Sequence, residues 1–198
     1  MRHGAVPYSA IPPVLGLLAL LLGFGTAVAD ELAAWSALRA SGYVVLMRHG
    51  DAPGGAGDPP GFRLEDCSTQ RNLSERGRAQ SRAVGEKFKA ERIAIAKVLS
   101  SPWCRCMETA RLMDLGATEV APAFSNSFVL REQRSSLADT ARLIITGWKG
   151  PGTLMVVTHG DNIAALINYN PAQAEIVVVR AGSDGTLRQI GRVPAPEC

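Results

Sequence analysis

Two related octapeptides carry the residues of this chain best suited to chemistry. They are Val44-Val45-Leu46-Met47-Arg48-His49-Gly50-Asp51 and Met155-Val156-Val157-Thr158-His159-Gly160-Asp161-Asn162. Each is a short apolar, β-branched run that breaks off in His-Gly-Asp. Such runs read as strands buried on both faces of a parallel sheet. Ligands of open α/β sheets gather just beyond the carboxyl ends of their strands. His49 and His159 therefore read as two halves of one site. Arg48, where the chain leaves the sheet, offers a planar fork of donors to phosphate or carboxylate. Arg105 falls in the first turn of a helix expected to open at Ser101-Pro102, with serine at the N-cap and proline at the first helical position. Free backbone N–H groups at that helix end would add to the pull on an anion. Two arginines, a helix N-terminus and two imidazoles describe a pocket for a phosphoryl group. Arg2-His3-Gly4 repeats the tripeptide Arg48-His49-Gly50, but no strand precedes it and it is set aside.

The elements that must hold these residues can be read from pattern. A short helix over Glu31 to Ala40 leads into a strand at Tyr43 to Met47. A Gly/Pro-rich loop follows from Ala52 to Phe62. Ser74 to Arg92 has helical spacing, with Ala79, Val84, Phe88 and Ile93 as its apolar stripe. A strand at Ile95 to Leu99 precedes the Ser101-Pro102 helix, which should run to about Leu115 and stop at Gly116. Ser136 to Trp148 reads as another helix. Gly150-Pro151-Gly152 turns into a strand at Thr153 to Thr158. Asp161 can cap a short helix through Ile167, and Asn170-Pro171 breaks it. Strands at Glu175 to Val179 and Leu187 to Val193, the second at an edge, complete the chain. This alternation predicts an α/β fold of three layers, a mostly parallel central sheet with helices on both faces.

The 198 residues suit one domain with a substantial core. A content of 46% hydrophobic and 20% charged residues excludes a disordered or fibrous chain. The formal charge is +3, and the basic residues are scattered, with no run that would track nucleic acid. Residues 1–29 read as a secretory signal peptide: Arg2 in the n-region, Val14 to Phe24 as the apolar core, and Ala27-Val28-Ala29 as a small-x-small cleavage site. The rival reading is an uncleaved anchor, but glycines at 16, 23 and 25 leave the run short of a span. Residues 30–198 then form the single mature domain, with no membrane span, in a secreted or periplasmic compartment. Sequence sets no oligomeric state.

Such a compartment permits disulfides among Cys67, Cys104, Cys106 and Cys198. Cys104 and Cys106 are too close to pair comfortably within a helix, so Cys67 is expected to bond one of them. A zinc site from Cys104, Cys106 and the histidines is the alternative, although the C-x-C spacing lacks a matching second pair.

Four blocks follow one another in order: Met47-Arg48-His49-Gly50, Leu73-Ser74-Glu75-Arg76-Gly77-Arg78-Ala79-Gln80, Ser100-Ser101-Pro102-Trp103-Cys104-Arg105-Cys106-Met107-Glu108-Thr109-Ala110, and Val156-Val157-Thr158-His159-Gly160. Together, over about Tyr43 to Ile167, they resemble the histidine phosphatase superfamily, in the branch related to phosphoglycerate mutases. The resemblance implies that His49 is a nucleophile forming a phosphohistidine that water then cleaves. It implies that Arg48, Arg105 and His159 hold the phosphoryl oxygens. No metal or other cofactor is implied, and the expected partner is a small phosphorylated substrate. The family's general acid often lies in a Leu-x-Glu segment, which Leu130-Arg131-Glu132 matches, without the Gly-x-Trp that usually follows. Asp161 is the rival and Asp51 a third candidate. The asparagine that mutases carry soon after Arg-His-Gly is missing from Ala52-Pro53-Gly54-Gly55-Ala56-Gly57. Arg71 and Asn72 could reach substrate or simply bond their own loop. An exported phosphatase for envelope sugar phosphates is the leading expectation. A phosphohistidine phosphatase like SixA, and a non-catalytic phosphoryl-ligand binder, are the alternatives.

Overall fold

The computed structural model describes residues 28–198. Most of the signal segment, with Arg2-His3-Gly4, lies outside the described residues. Among the described residues no helix is long and apolar enough to cross a membrane. Among the described residues five helices flank one six-stranded sheet: α1 (described over 28–38), α2 (Glu75–Ala90), α3 (Cys104–Met113), α4 (Arg134–Thr146) and α5 (Gly160–Ile167). The strands are β1 (Val44–Arg48), β2 (Ile95–Ser100), β3 (Thr118–Val120), β4 (Thr153–Thr158), β5 (Ile176–Ala181) and β6 (Leu187–Val193). Their spatial order is β3-β2-β4-β1-β5-β6. The four strands β3, β2, β4 and β1 run parallel, while β5 lies antiparallel to both β1 and β6. The sheet is thus mixed but mostly parallel, as the alternation of elements predicts. The edge strand β3 carries no apolar run, so pattern reading passes over it.

Alternate strand residues sort the core into two layers, because successive side chains point to opposite faces. Val45, Met47, Met155, Val157, Ile176 and Val178 meet Trp35, Phe88, Trp103 and Ala110 from α1, α2 and α3 with its N-cap. Val44, Leu46, Leu154, Val156, Val177 and Val179 meet Ala141, Ile145 and Ile163 from α4 and α5. β1 and β4 are buried along almost their whole length, which is why they read as unbroken apolar runs.

Helix starts differ in detail from the sequence pattern. Ser74 caps α2, its hydroxyl accepting from Gly77 N at 3.0 Å. The next helix opens at Cys104 rather than Ser101, with Trp103 at the N-cap and no cap from that residue's side chain. Gln70 Oε1 accepts from Cys104 N at 3.0 Å, so a loop residue supplies the missing cap. α3 ends at Met113, where Asp114 takes the left-handed conformation two residues before Gly116. α5 has His159 at its N-cap and Asp161 inside its first turn, so Asp161 is not the cap that the sequence suggested. Cys67 is bonded to Cys104, not Cys106, closing a span of 37 residues. The bond occupies the Cys104 sulfur and rules out the zinc pair of Cys104 and Cys106.

Candidate active site

Parallel pairing of β1 with β4 places Arg48 opposite Thr158, so the residues that follow them leave the sheet side by side. His49 N donates to Thr158 O at 3.0 Å. The two imidazole rings stand edge to face, with centroids 5.5 Å apart. The paired octapeptides therefore do build one site at the carboxyl end of the central strands. Glycine follows each histidine in a tight space, closed by backbone at Gly50 and by side-chain ends at Gly160. A Cβ on Gly50 would lie 2.5 Å from Gly77 O, and one on Gly160 would lie 2.2 Å from Asn170 Oδ1 and 3.3 Å from Arg48 Nη1.

His49 Nδ1 lies 2.8 Å from the Gly50 carbonyl oxygen. Only an N–H can make that bond, so the proton sits on Nδ1 and Nε2 keeps its lone pair. Burial, helped by the Arg105 and Arg48 charges, pushes the His49 imidazole down to about 3, and so it is neutral at physiological pH. Burial also lowers His159 well below its usual range, with Arg105 and His49 adding to the effect. Ser101, released from capping duty, has its Oγ 2.9 Å from His159 Nε2 and fixes that ring. Trp103 packs edge-on against the same ring at 5.6 Å, and the buried Cys106 Sγ lies 3.5 Å from its Nε2. The Cys106 thiol, pushed up to about 12 by burial, stays protonated and inert.

A cavity of about 210 Å³ opens in front of the two rings, lined among others by Arg48, Arg71, Asn126, Phe128 and Asp161. Arg48 donates through Nη1 to Pro171 O at 2.9 Å, and its buried Nε has no partner. Burial and Arg105 lower the Arg48 guanidinium, while the Asp161 charge works against them. Arg71 is anchored by Nε on Gly57 O at 2.9 Å and by Nη1 on Ala52 O. Across Arg71 lies a second cavity of about 500 Å³, walled by Pro53, Pro59 and Pro60.

The other expected residues lie differently. Arg105 sits in the first turn of α3 as expected, yet its side chain is wholly buried and does not line the cavity. Its guanidinium grips Asp58, Nη1 to Oδ1 at 2.7 Å and Nη2 to Oδ2 at 3.3 Å. Glu132 is exposed on a 3-10 turn, Arg131–Gln133, outside the cavity. Asp51 bonds Ser74 Oγ at 2.5 Å and ties the loop to α2. Asn72 turns its amide onto Cys67 O and Gln70 O at 2.6 and 3.2 Å, and lines the second cavity rather than the first. Among the described residues no cluster of three or more His, Cys, Asp or Glu is arranged to hold a metal ion.

Asp58 and Asn126 are the site residues that pattern reading misses. Asp58 sits in a Gly/Pro-rich loop where nothing periodic marks it. Asn126 precedes a turn that Asn162 fastens to α5 through Ser125 O and the Ser127 N–H. The second His-Gly-Asp-Asn block was the available signal for that turn.

Residues 44–125 match the family model of the histidine phosphatase superfamily (branch 1). Comparison with curated protein sequences gives no match. Among solved structures, the chain is similar to the protein histidine phosphatase SixA complexed with tungstate. That likeness has a TM-score of 0.56 at 21% identity, covering 77% of this chain and 96% of that one. It is similar to an open reading frame product of Mycobacterium tuberculosis, with a TM-score of 0.59 at 18% identity, covering 78% and 98%. A mycobacterial glucosyl-3-phosphoglycerate phosphatase complexed with VO3 gives a TM-score of 0.56 at 17% identity, covering 75% and 97%. At these identities the likeness is one of fold. The sequence match to the histidine phosphatase family model takes in the first histidine and Arg105.

Proposed function

We propose that the protein is an exported phosphatase that hydrolyses a phosphomonoester through a phosphohistidine on His49. The observation that carries this reading is the neutral, buried His49. Its Nδ1 is held by Gly50 O, which leaves Nε2 its lone pair, and the residue lines a cavity flanked by two guanidiniums and a second neutral imidazole. The Nε2 lone pair attacks phosphorus and the P–O bond to the leaving group breaks. Arg48, Arg71 and His159 stabilise the charge on the phosphoryl oxygens as it spreads. Asp161, at the cavity wall, gives its proton to the leaving oxygen. Water then attacks the phosphohistidine, Asp161 takes its proton, the P–N bond breaks, and inorganic phosphate leaves. Asp161 takes the acid's role ahead of Glu132 because Glu132 lies outside the cavity.

Export rests on the signal-like residues 1–29 and on the Cys67–Cys104 bond, which suits an oxidising compartment. The proline-walled second cavity adjoins the phosphoryl pocket across Arg71 and has room for a leaving group of sugar size. That favours an envelope sugar phosphate as substrate. Purified wild-type protein should hydrolyse p-nitrophenyl phosphate, and a panel of phosphosugars should contain better substrates than phosphohistidine proteins. Inorganic phosphate binding without turnover of any substrate would instead mark a non-catalytic phosphoryl binder.

A further inference from the structure

We propose, on the reading just given of the cavity as a phosphoryl pocket, that Asp58 is its positioning residue. Asp58 fixes Arg105 and offsets one of three guanidinium charges, so that the pocket holds one dianionic phosphoryl group and releases inorganic phosphate.

The Asp58 side chain is fully buried, and so is that of Arg105. The carboxylate collects four donors, from Arg71 in the wall of the cavity and from Arg105 and Trp103 behind it. Arg105 supplies both Nη atoms, Arg71 its backbone N–H at 3.0 Å, and Trp103 its indole N–H at 2.9 Å. Arg71 reaches into the cavity, Trp103 packs on His159, and Arg105 follows Cys104, which is stapled to the loop. One carboxylate thus joins three residues from two separate segments around the histidines. A bidentate arginine–carboxylate pair fixes direction as well as distance.

Charge leads to the same conclusion. Arg48, Arg71 and Arg105 crowd together: the Arg105 charge adds to burial in lowering both Arg48 and Arg71, and the Arg48 charge lowers Arg71 further. Three cations around one phosphoryl dianion would leave one in excess and hold product tightly. With Asp58 ionised and Asp161 carrying the proton it donates, the balance is three minus one, or +2, which matches in size the −2 of a phosphomonoester dianion. Burial pushes the Asp58 carboxyl up, but Arg105 and the Arg71 and Trp103 N–H groups override it and hold it below the usual carboxylate range. The Arg105 fork gives both Nη atoms to Asp58, and Nη1 also to Arg71 O at 3.1 Å, which leaves its buried Nε without a partner. It acts on the site as a fixed, half-neutralised charge.

A purely structural ion pair and this positioning role predict opposite signs in one measurement. Asp58→Asn keeps the shape and removes the charge. Inorganic phosphate, titrated by calorimetry, should bind the variant about tenfold more tightly than wild type, since a nearby buried counter-charge has gone. In p-nitrophenyl phosphate hydrolysis, kcat should fall about tenfold while KM falls or holds, because phosphate release slows and Arg105 loses its anchor. Asp58→Glu keeps the charge but moves the carboxylate. It should return phosphate affinity to within about threefold of wild type and leave kcat reduced. Weaker phosphate binding with a raised KM in Asp58→Asn would overturn the proposal, and so would unchanged values of both. Should Asp58→Asn fail to fold, Asp58→Glu decides alone: a wild-type kcat there refutes positioning. Phosphate binding is read without turnover. A chain that proved non-catalytic would sink the proposed reaction and still leave the affinity result to judge Asp58.

Discussion

The site has two halves, held by different physics. The strand-end half, Arg48-His49 and Thr158-His159, is set by parallel pairing of β1 with β4, and each residue's position follows from the ladder. The loop half, residues 52–72, has little regular structure beyond a 3-10 turn at Cys67–Thr69. It is fastened by side chains instead: Asp58 on Arg105, Arg71 on Gly57 and Ala52, Gln70 on Cys104, and the Cys67–Cys104 disulfide. A ladder tolerates the loss of one side chain, because the backbone carries it. A loop built from single polar contacts loosens when any one is removed. The strand-end half should therefore answer mutation through chemistry alone, and the loop half through chemistry and stability together.

His49→Ala gives the largest effect and tests the first part of that contrast. It should cut kcat by more than about 10³-fold, as removal of a covalent nucleophile does, while thermal unfolding keeps its midpoint within a few degrees. A variant that unfolds early would show that the strand-end half is not held by its ladder.

Asp161→Asn comes next. The loss should be about 10²–10⁴-fold on sugar phosphates, whose leaving oxygen needs a proton, and small on p-nitrophenyl phosphate. Glu132→Gln should change neither rate. The reverse pattern would return the acid's role to Glu132 and require the 3-10 turn that carries it to close over the cavity.

In the loop half, Cys67→Ser with Cys104→Ser should cost about 2–4 kcal/mol in urea unfolding. It should also lower kcat/KM, because Arg71 lies four residues from Cys67. Unfolding curves that superimpose on wild type would mean that the polar contacts alone hold this loop.

The smallest expected effect on the rate is that of mild acid. His49 is pushed down to about 3 in the fold, against 6.5 when unfolded, so between these values the unfolded chain binds the extra proton. Its contribution to stability is complete above pH 6.5 and is lost as pH falls towards 3. His159 adds in the same direction. For the same reason the nucleophile stays neutral in mild acid, and the rate should show no loss of nucleophile near pH 6.5. An NMR titration of His49 near 6.5 would contradict this.

The same division explains what could be read from sequence. Val44 to Met47 and Thr153 to Thr158 are buried on both faces, so their unbroken apolar runs announce strands, and the strand ends announce the histidines. Arg105 was placed correctly in the first turn of α3 through its helix context. Its buried pairing with Asp58 went unseen, since the two lie 47 residues apart and no periodicity links them. Ser101 looked like a helix cap because serine before proline usually is one. Here its hydroxyl serves His159, and Gln70 does the capping from the loop. Local pattern identifies elements; contacts between distant polar residues leave no trace in it.

The central claim is that phosphate passes through His49. Protein mixed with labelled phosphomonoester and quenched in alkali, where phosphohistidine survives, should carry one label per chain on the peptide containing His49. The attachment should be at Nε2, since Nδ1 holds its proton against Gly50 O. His49→Ala should carry none. Label found on His159, or rapid turnover with no trapped phosphohistidine in wild type and an active His49→Ala, would contradict the account.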